Sequence, residues 1–331
     1  MKNSASDADV ARVEEYVRRE GYEPHTIRGE VRTVVAAVGD EVEHASLESL
    51  ESLPTVEKVM PVQKGYKLIA RDTHPETVNV DVGGVEIGGA GFTVIAGPCA
   101  VESQEQMEVV ASKVKASGAA ILRGGAFKPR TSPYDFQGLQ EEGLNILRKT
   151  KEKFGIPIVT EVVREGDVEK ISAIADMLQI GARNSSNFAL LETAADTGKP
   201  VLLKRGMAQS VREWLLAAEY LVKRGNRNVV LCERGIRTFE SATRNTLDLS
   251  AVVLAKQECS LPVFVDPSHA AGRVDLIIPL AKAAVAVGAD GLLVEVHPCP
   301  EEARSDPGQQ LNPDQFNDLM RAIKPYIDLA K

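Results

Sequence analysis

The chain has 331 residues, of which 44% are hydrophobic and 26% are charged, so it is large and apolar enough to bury a sizeable core and is not a disordered polymer. Its formal net charge of −8 excludes a nucleic-acid binder that depends on general electrostatic attraction. The N-terminus carries no secretory signal, no apolar run is long enough to span a bilayer, and the four cysteines form no CxxC pair, so we expect a cytoplasmic protein with reduced thiols.

Residues 1–65 predict a small α+β unit. Its first helix begins after Ser6, and Asp9 three residues later completes a capping-box pattern. The remaining predicted elements are strands at Tyr22–Arg28 and Val31–Val38 joined at Gly29-Glu30, a helix around Ser46–Ser52 and a strand around Val56–Val62.

Residues 66–91 predict a linker and a β-hairpin. Val80, Val82, Val85 and Ile87 alternate about Gly83-Gly84, a dipeptide that favours a tight hairpin turn. From its position just before the next domain, we expect this hairpin to close the N-terminal end of a barrel.

Residues 92–331 predict a (β/α)8 TIM barrel. Short apolar runs recur, each followed by a loop and a helical pattern, and a helix near Pro313–Ala330 ends the chain. The eight runs are Thr93–Ala96, Ala119–Leu122, Pro157–Thr160, Met177–Ile180, Val201–Leu203, Val229–Leu231, Val263–Val265 and Leu292–Val294.

All eight predicted strands end in charged or metal-binding residues, at the barrel face where such enzymes carry their active sites. One polar strand end is ordinary for a surface loop, but eight on one face favour a catalytic site over a solvated rim. Six of these residues are cations suited to phosphates and carboxylates: Arg123, Lys128, Arg130, Arg183, Lys204 and Arg234. So many cations in one cleft of an acidic protein indicate two anionic substrates.

A second set contains a thiol, an imidazole and two carboxylates: Cys99, His269, Glu295 and Asp306. These residues follow strands one, seven and eight, which are neighbours in a closed barrel, so the set predicts a divalent-metal site of intermediate softness. His297 is open to two interpretations, a substrate contact or a structural residue. Cys232 and Cys259 are predicted to be buried, inert thiols.

Seven segments at these strand ends resemble a known enzyme family. They are GPCAVES (97–103), LRGGAFKPRTSPYDFQG (122–138), QIGARN (179–184), VLLKRG (201–206), LCERGIRTFE (231–240), VDPSHAAGR (265–273) and VEVHPCPEEARSDP (294–307). Together they resemble 3-deoxy-D-arabino-heptulosonate-7-phosphate (DAHP) synthase, and the chain looks like the type I-beta branch, which has a ferredoxin-like N-terminal regulatory domain. The similarity covers nearly all of residues 66–331.

The resemblance implies a transferase of the shikimate pathway of aromatic amino-acid biosynthesis, which condenses phosphoenolpyruvate with erythrose 4-phosphate and releases phosphate. By position, the metal ligands match Cys99, His269, Glu295 and Asp306, and Mn, Fe, Co and Zn all stay open as the metal. The phosphoenolpyruvate contacts match Arg123, Lys128, Glu161, Arg183, Lys204 and Arg234. The sugar-phosphate side matches Arg130 and Thr131, with Asp266 near the aldehyde, and Lys128 and His269 both stay open as proton donor.

Two alternatives remain. The first is the sister synthase that makes 3-deoxy-D-manno-octulosonate 8-phosphate from arabinose 5-phosphate, which the KPRTS loop at residues 128–132 disfavours because the sister enzyme typically has KANRSS. The second is a non-catalytic sensor of aromatic amino acids or a regulatory partner, which the four retained metal ligands disfavour.

The resemblance also implies that residues 1–65 bind an aromatic effector, Tyr or Phe, and that the chain forms a homo-oligomer, with a tetramer expected. One departure concerns Met1–Ser6, which is polar where related chains begin with a hydrophobic strand. We therefore expect the small domain to lack one edge strand.

Overall fold

The computed structural model describes residues 1–28, 33–39, 47–60, 65–72, 74–89, 91–130 and 132–330. The chain divides into two compact units, Met1–Lys64 and Gly65–Lys331. The predicted turn at Gly29-Glu30, the starts of the second strand and second helix, and Thr131 lie outside the described residues.

The first unit contains helix α1 (Asp7–Arg19), the antiparallel strands β1 (Glu23–Arg28) and β2 (Thr33–Val38), and a 3-10 helix at Glu48–Ser52. The predicted capping box is confirmed, because the Ser6 hydroxyl accepts from the Asp9 amide and the Asp9 carboxylate accepts from the Ser6 amide. As expected, Met1–Ser6 is not a strand.

The strand predicted around Val56–Val62 is wrong for residues 56–60, which form no strand, and residues 61–62 are outside the described part. Val56 is nevertheless buried, and Val59 packs partly against the same small core of Val13, Val17 and Tyr22. The Val56 amide bonds to the Leu53 carbonyl in a turn, so burial of the apolar side chains is achieved without a neighbouring strand.

The second unit is a closed barrel of eight parallel strands, as predicted. Each strand pairs with its neighbours in sequence, and the last pairs with the first. The strands are β5 (Thr93–Gly97), β6 (Ile121–Arg123), β7 (Ile158–Val162), β8 (Met177–Ile180), β9 (Val201–Lys204), β10 (Val229–Glu233), β11 (Val263–Val265) and β12 (Gly291–Glu295). All are buried, which explains why they read as continuous apolar runs in the sequence.

Nine helices of the described residues surround the barrel, and capping side chains fix several of their starts. Ser210 with Glu213, and Asn312 with Gln315, form capping boxes at two of these helices. The helices are α2 (Gln104–Ala116), α3 (Glu141–Phe154), α4 (Val168–Ser172), α5 (Phe188–Asp196), α6 (Val211–Lys223), α7 (Leu249–Glu258), α8 (Pro267–Ala271), α9 (Ile277–Ala286) and α10 (Pro313–Leu329). Among the described residues, no helix combines the length and apolar character needed to cross a membrane.

The hairpin of β3 (Val80–Val82) and β4 (Val85–Ile87) closes the N-terminal end of the barrel, as its position predicts. Its buried side chains pack against inward-facing residues contributed by every barrel strand: Ile95, Ile121, Val159, Met177, Leu202, Val230, Phe264 and Leu293. Gly83 has φ +59°, and a Cβ there would lie 3.2 Å from Pro157, the residue that precedes β7. The tight turn therefore needs glycine both for its backbone and for its close approach.

Candidate functional site

The four residues predicted to bind a metal meet at the C-terminal ends of β5, β11 and β12. One donor atom each from Cys99, His269, Glu295 and Asp306 lies within 4.8 Å of the other three. Cys99 reaches this position because Gly97 at the end of β5 crosses close to β6, where a Cβ would lie 2.1 Å from the Arg123 carbonyl oxygen. The set of sulfur, nitrogen and oxygen donors suits a divalent transition metal.

One buried oxygen of this cluster supports the fit to a cation. Glu295 is fully buried, and its Oε1 accepts no hydrogen bond, although it lies 3.1 Å from Nη2 of Arg123 and 3.4 Å from Nε2 of His269. Its other oxygen, Oε2, accepts a 2.6 Å hydrogen bond from Nε2 of Gln309. A carboxylate held by one oxygen and left open at the other is arranged to receive an ion.

His269 is held in the form that a metal requires. Its Nδ1 lies 2.7 Å from Asp266 Oδ2, which also accepts from Nζ of Lys204 at 2.6 Å. Burial lowers the pKa of His269 to about 4, so the imidazole is neutral at pH 7. Burial alone would raise the pKa of Asp266, but His269 and Lys204 hold it well below its usual range. The neutral ring therefore donates Nδ1–H to a carboxylate and presents Nε2 to the cluster.

The surroundings of Cys99 favour its neutral thiol over the thiolate. Burial, with a further contribution from Glu295, raises its pKa to about 12, although the ammonium of Lys128 opposes the rise. Nζ of Lys128 lies 3.1 Å from the sulfur and donates to the Cys99 carbonyl at 2.9 Å. A dication placed among these donors would replace the thiol proton.

Asp306 has a strained backbone and is held by cations. Its φ of +51° is one of two positive values among the described non-glycine residues, and Pro307 follows it. Nη1 of Arg244 donates to Oδ1 at 3.1 Å, and Nη1 of Arg130 lies 3.9 Å from Oδ2. Burial would raise the pKa of Asp306, but Arg244 and His269 lower it, so the side chain is a carboxylate.

A cleft of about 570 Å³ opens beside the cluster, and cations dominate its lining. All six cations predicted from the strand ends line it, together with Glu161, His269 and Asp306: Arg123, Lys128, Arg130, Arg183, Lys204 and Arg234. Arg123 is 4% exposed, and its Nε and Nη1 are buried without a hydrogen-bond partner. Burying a donor without an acceptor costs free energy, and an anion bound in the cleft would supply the acceptors that these nitrogens lack.

The remaining predicted residues have different positions. Asp266 is fully buried behind His269 and Lys204, and Thr131 is outside the described part of the chain. His297 does not line the cleft: its Nδ1 accepts from the Cys299 amide at 3.1 Å, and its Nε2 lies 3.6 Å from Glu102.

The sequence interpretation missed three residues at this site. Arg244 lines the cleft and donates to both Asp306 and Gln309; Gln309 in turn donates to Glu295. Ser305 is buried, with its Oγ 2.9 Å from the Cys99 sulfur. The signal available for Ser305 and Gln309 was the polar cluster RSDPGQQ at residues 304–310, which contains the predicted ligand Asp306; Arg244 lies outside this cluster.

Comparisons with known proteins agree on one family across both units. The profile of the DAHP synthetase I family matches residues 70–329, and that of the DAHP synthase ferredoxin-like domain matches residues 1–64. A phospho-2-dehydro-3-deoxyheptonate aldolase of Thermotoga maritima is 48% identical over 328 residues, which cover 99% of this chain and 97% of the relative. The crystal structure of the Thermotoga maritima enzyme superposes with a TM-score of 0.95 over 99% of this chain and 96% of that one.

A second group of relatives is more distant. A 2-dehydro-3-deoxyphosphooctonate aldolase of Fusobacterium nucleatum is 33% identical over 271 residues, which cover 76% of this chain and 95% of the relative. That alignment leaves about a quarter of this chain uncovered.

Proposed function

Because this chain belongs to the DAHP synthetase I family, we propose that it condenses phosphoenolpyruvate with erythrose 4-phosphate to give 3-deoxy-D-arabino-heptulosonate 7-phosphate and phosphate. The observation that carries the proposal is the position of the four-donor cluster of Cys99, His269, Glu295 and Asp306 in the wall of a cation-lined cleft. The cluster suits a Lewis acid, and the cations suit two phosphorylated substrates.

The four residues of the cluster would hold the metal. When bound, a divalent cation supplies positive charge for the oxygen on which charge develops as the aldehyde is attacked. The chain's own contribution is to fix the donors: Asp266 orients His269, Gln309 holds one oxygen of Glu295, and Arg244 holds Asp306.

Phosphoenolpyruvate would occupy the deep part of the cleft. Arg123 and Lys204 are 4% and 3% exposed, and Arg123 has the two unpartnered nitrogens described above. A phosphate and a carboxylate would supply the missing acceptors, with Arg183 and Arg234 completing the anion site. Glu161, whose Oε2 accepts from Gln179 at 3.2 Å, would bound this part of the cleft.

The aldose phosphate would bind nearer the opening, at Arg130 and Thr131. Nε of Arg130 donates to the Phe136 carbonyl at 3.1 Å, which fixes the guanidinium at the rim. The two phosphates held at separate cation sets would then bring the reacting carbons together in one orientation.

Lys128 is the proposed proton donor. Neither ring nitrogen of His269 is free to act as an acid, because Nδ1 faces Asp266 and Nε2 faces Glu295 in the proposed metal site. Lys128 lines the cleft, and its ammonium lies 3.1 Å from the Cys99 sulfur, so it is placed next to the proposed metal site from which a general acid could reach the substrate.

The experiment is to mix the purified protein and a divalent metal with phosphoenolpyruvate and each aldose phosphate in turn, and to measure phosphate release. We expect release with erythrose 4-phosphate and little with arabinose 5-phosphate. Faster release with arabinose 5-phosphate would support the sister synthase, and no release with either sugar would support the non-catalytic alternative.

The small unit is the proposed site of an aromatic effector, tyrosine or phenylalanine. We also propose that the chain forms a homo-oligomer, with a tetramer expected. Val34 and Val38 of β2 are 52% and 54% exposed, and this apolar surface supports binding of an aromatic ring. Removing residues 1–64 should leave phosphate release intact and abolish inhibition by either amino acid. Equal inhibition of the full-length and truncated proteins would place the effector site in the barrel instead.

The oligomeric state is measured by light scattering of the full-length protein, and a mass other than that of four chains would contradict the tetramer.

A further inference from the structure

The hydroxyl of Ser305 lies among three functional side chains. Ser305 is 2% exposed, and its Oγ is 2.9 Å from Cys99 Sγ and 3.4 Å from Asp306 Oδ2. Nη2 of Arg130 donates to the same oxygen. One hydroxyl therefore touches a proposed metal ligand and the proposed sugar-phosphate arginine.

The backbone around Ser305 keeps this hydroxyl in place. Nε2 of Gln310 donates to the Ser305 carbonyl at 2.8 Å, and Oε1 of Gln310 accepts from the Cys99 amide at 3.0 Å. A fully buried glutamine thus ties the serine to the cysteine through two main-chain groups. The hydrogen bonds of Gln310 therefore hold Ser305 and Cys99 side by side, so that their side chains remain in contact.

The direction of hydrogen bonding follows from the chemistry of the three groups. Arginine has donors only, so Ser305 Oγ accepts from Arg130 and has one proton left to give. Sulfur is nearer to that oxygen than the Asp306 carboxylate is, and a metal-bound sulfur is a thiolate with no proton of its own. The chain of donation then runs from Arg130 through Ser305 to Cys99.

We propose that Ser305 is a positioning residue that couples Arg130 to the Cys99 sulfur, so that an anion bound by Arg130 alters the hydrogen bond received by the metal-bound thiolate. The inference rests on the proposed metal and sugar-phosphate sites. Hydrogen bonds in a chain polarise one another, so donation from Arg130 strengthens donation from the hydroxyl to sulfur. A phosphate that takes up the Arg130 guanidinium weakens that donation and leaves the sulfur more electron-rich toward the metal.

The test uses the Co²⁺-loaded full-length protein and its sulfur-to-cobalt charge-transfer band. Ser305→Ala should bind one Co²⁺ per chain, with a dissociation constant raised about tenfold and the band shifted to lower energy. Inorganic phosphate should shift the wild-type band in the same direction and leave the Ser305→Ala band in place. Ser185→Ala, at an equally buried serine whose hydroxyl donates to the Ala182 carbonyl, is the matched control and should keep the wild-type band and response.

Two further variants separate the ways in which this inference fails. Cys99→Ala should lose the band; if the band persists, the metal assignment itself is wrong. Arg130→Ala should keep the band but lose its response to phosphate, which decides the question even if Ser305→Ala does not fold. A phosphate response that survives in Ser305→Ala or Arg130→Ala, or a Ser305→Ala band at the wild-type energy, would overturn the coupling.

Discussion

Binding of a divalent metal should release one proton, and that proton should come from Cys99. Burial raises the pKa of this thiol to about 12, whereas burial lowers the pKa of His269 to about 4. The pKa of Glu295 and that of Asp306 are both lowered, because neighbouring cations outweigh burial. Between pH 6 and pH 9, the thiol is therefore the one ligand among these four that still carries a proton.

The size and sign of the pH effect follow from this difference. Below the thiol pKa, each unit by which the pH falls makes the proton a tenfold better competitor for sulfur, which is about 1.4 kcal/mol per unit. The association constant of the metal should thus rise about tenfold per unit, or about a thousandfold from pH 6 to pH 9. The other three proposed ligands should add nothing to this dependence of the association constant on pH, because they are already deprotonated.

Calorimetric titration of the metal-free protein with Mn²⁺ provides the assay. Repeating it in buffers of different ionisation enthalpy counts the protons released, and repeating it across the pH range gives the slope. Cys99→Ala should bind Mn²⁺ more weakly, with an affinity that does not change with pH, and should lose phosphate release. Zero protons released by the unmodified protein would refute Cys99 as a ligand, and two would show that His269 is cationic before the metal binds.

Three further predictions test neighbouring parts of the site. Arg130→Ala should raise the KM for erythrose 4-phosphate by the equivalent of about 2–5 kcal/mol and leave that for phosphoenolpyruvate nearly unchanged, as measured from initial rates against each substrate. Equal weakening of both would contradict the assignment of this residue to the sugar phosphate. Gln309→Leu should lower metal affinity about tenfold in calorimetry, because it leaves Oε2 of Glu295 without its donor; an unchanged affinity would exclude this positioning role. Gly97→Ala should lower the melting temperature by many degrees, since its Cβ would lie 2.1 Å from a backbone carbonyl oxygen. Gly166→Ala is the control and should change the melting temperature little, because no atom lies within 4 Å of the added Cβ. Equal melting temperatures of the two variants would mean that the backbone at Gly97 adjusts freely.

The barrel was predictable from the sequence because its strands are buried on both faces. Such strands appear as continuous apolar runs, and the Thr93–Gly97 and Val263–Val265 strands start where those runs start. The third strand begins at Ile158 instead of Pro157, since proline lacks the amide that a ladder needs. In the small unit, Val56 and Val59 are three residues apart, a spacing that would place them on opposite faces of a strand, and they pack through a turn and a loop.

The candidate site was predictable where one of its side chains ends or closely follows a strand. Glu295 ends β12, and Cys99 lies two residues beyond the end of β5. Ser305, Gln309 and Arg244 lie outside the barrel strands and the α-helices. Ser305 is 206 positions from its partner Cys99, and Arg244 is 62 positions from its partner Asp306. No periodic pattern predicts such contacts, and the polar sequence of residues 304–310 indicates a polar loop without identifying the partners of its side chains.

The hairpin closes the N-terminal end of the barrel, so substrates enter the cleft from the C-terminal end, and this fixes the order in which they bind. Arg123 and Lys204 lie at depth, whereas Arg130 is 15% exposed and Arg244 is 38% exposed nearer the opening. A molecule seated at the opening blocks the way to the interior, so the occupant of the deep site has to enter first and leave last. For the proposed substrates, phosphoenolpyruvate precedes the sugar, and an unreactive sugar phosphate should inhibit uncompetitively against phosphoenolpyruvate. Noncompetitive inhibition would mean that the sugar phosphate also binds before phosphoenolpyruvate, which would contradict a fixed order of binding.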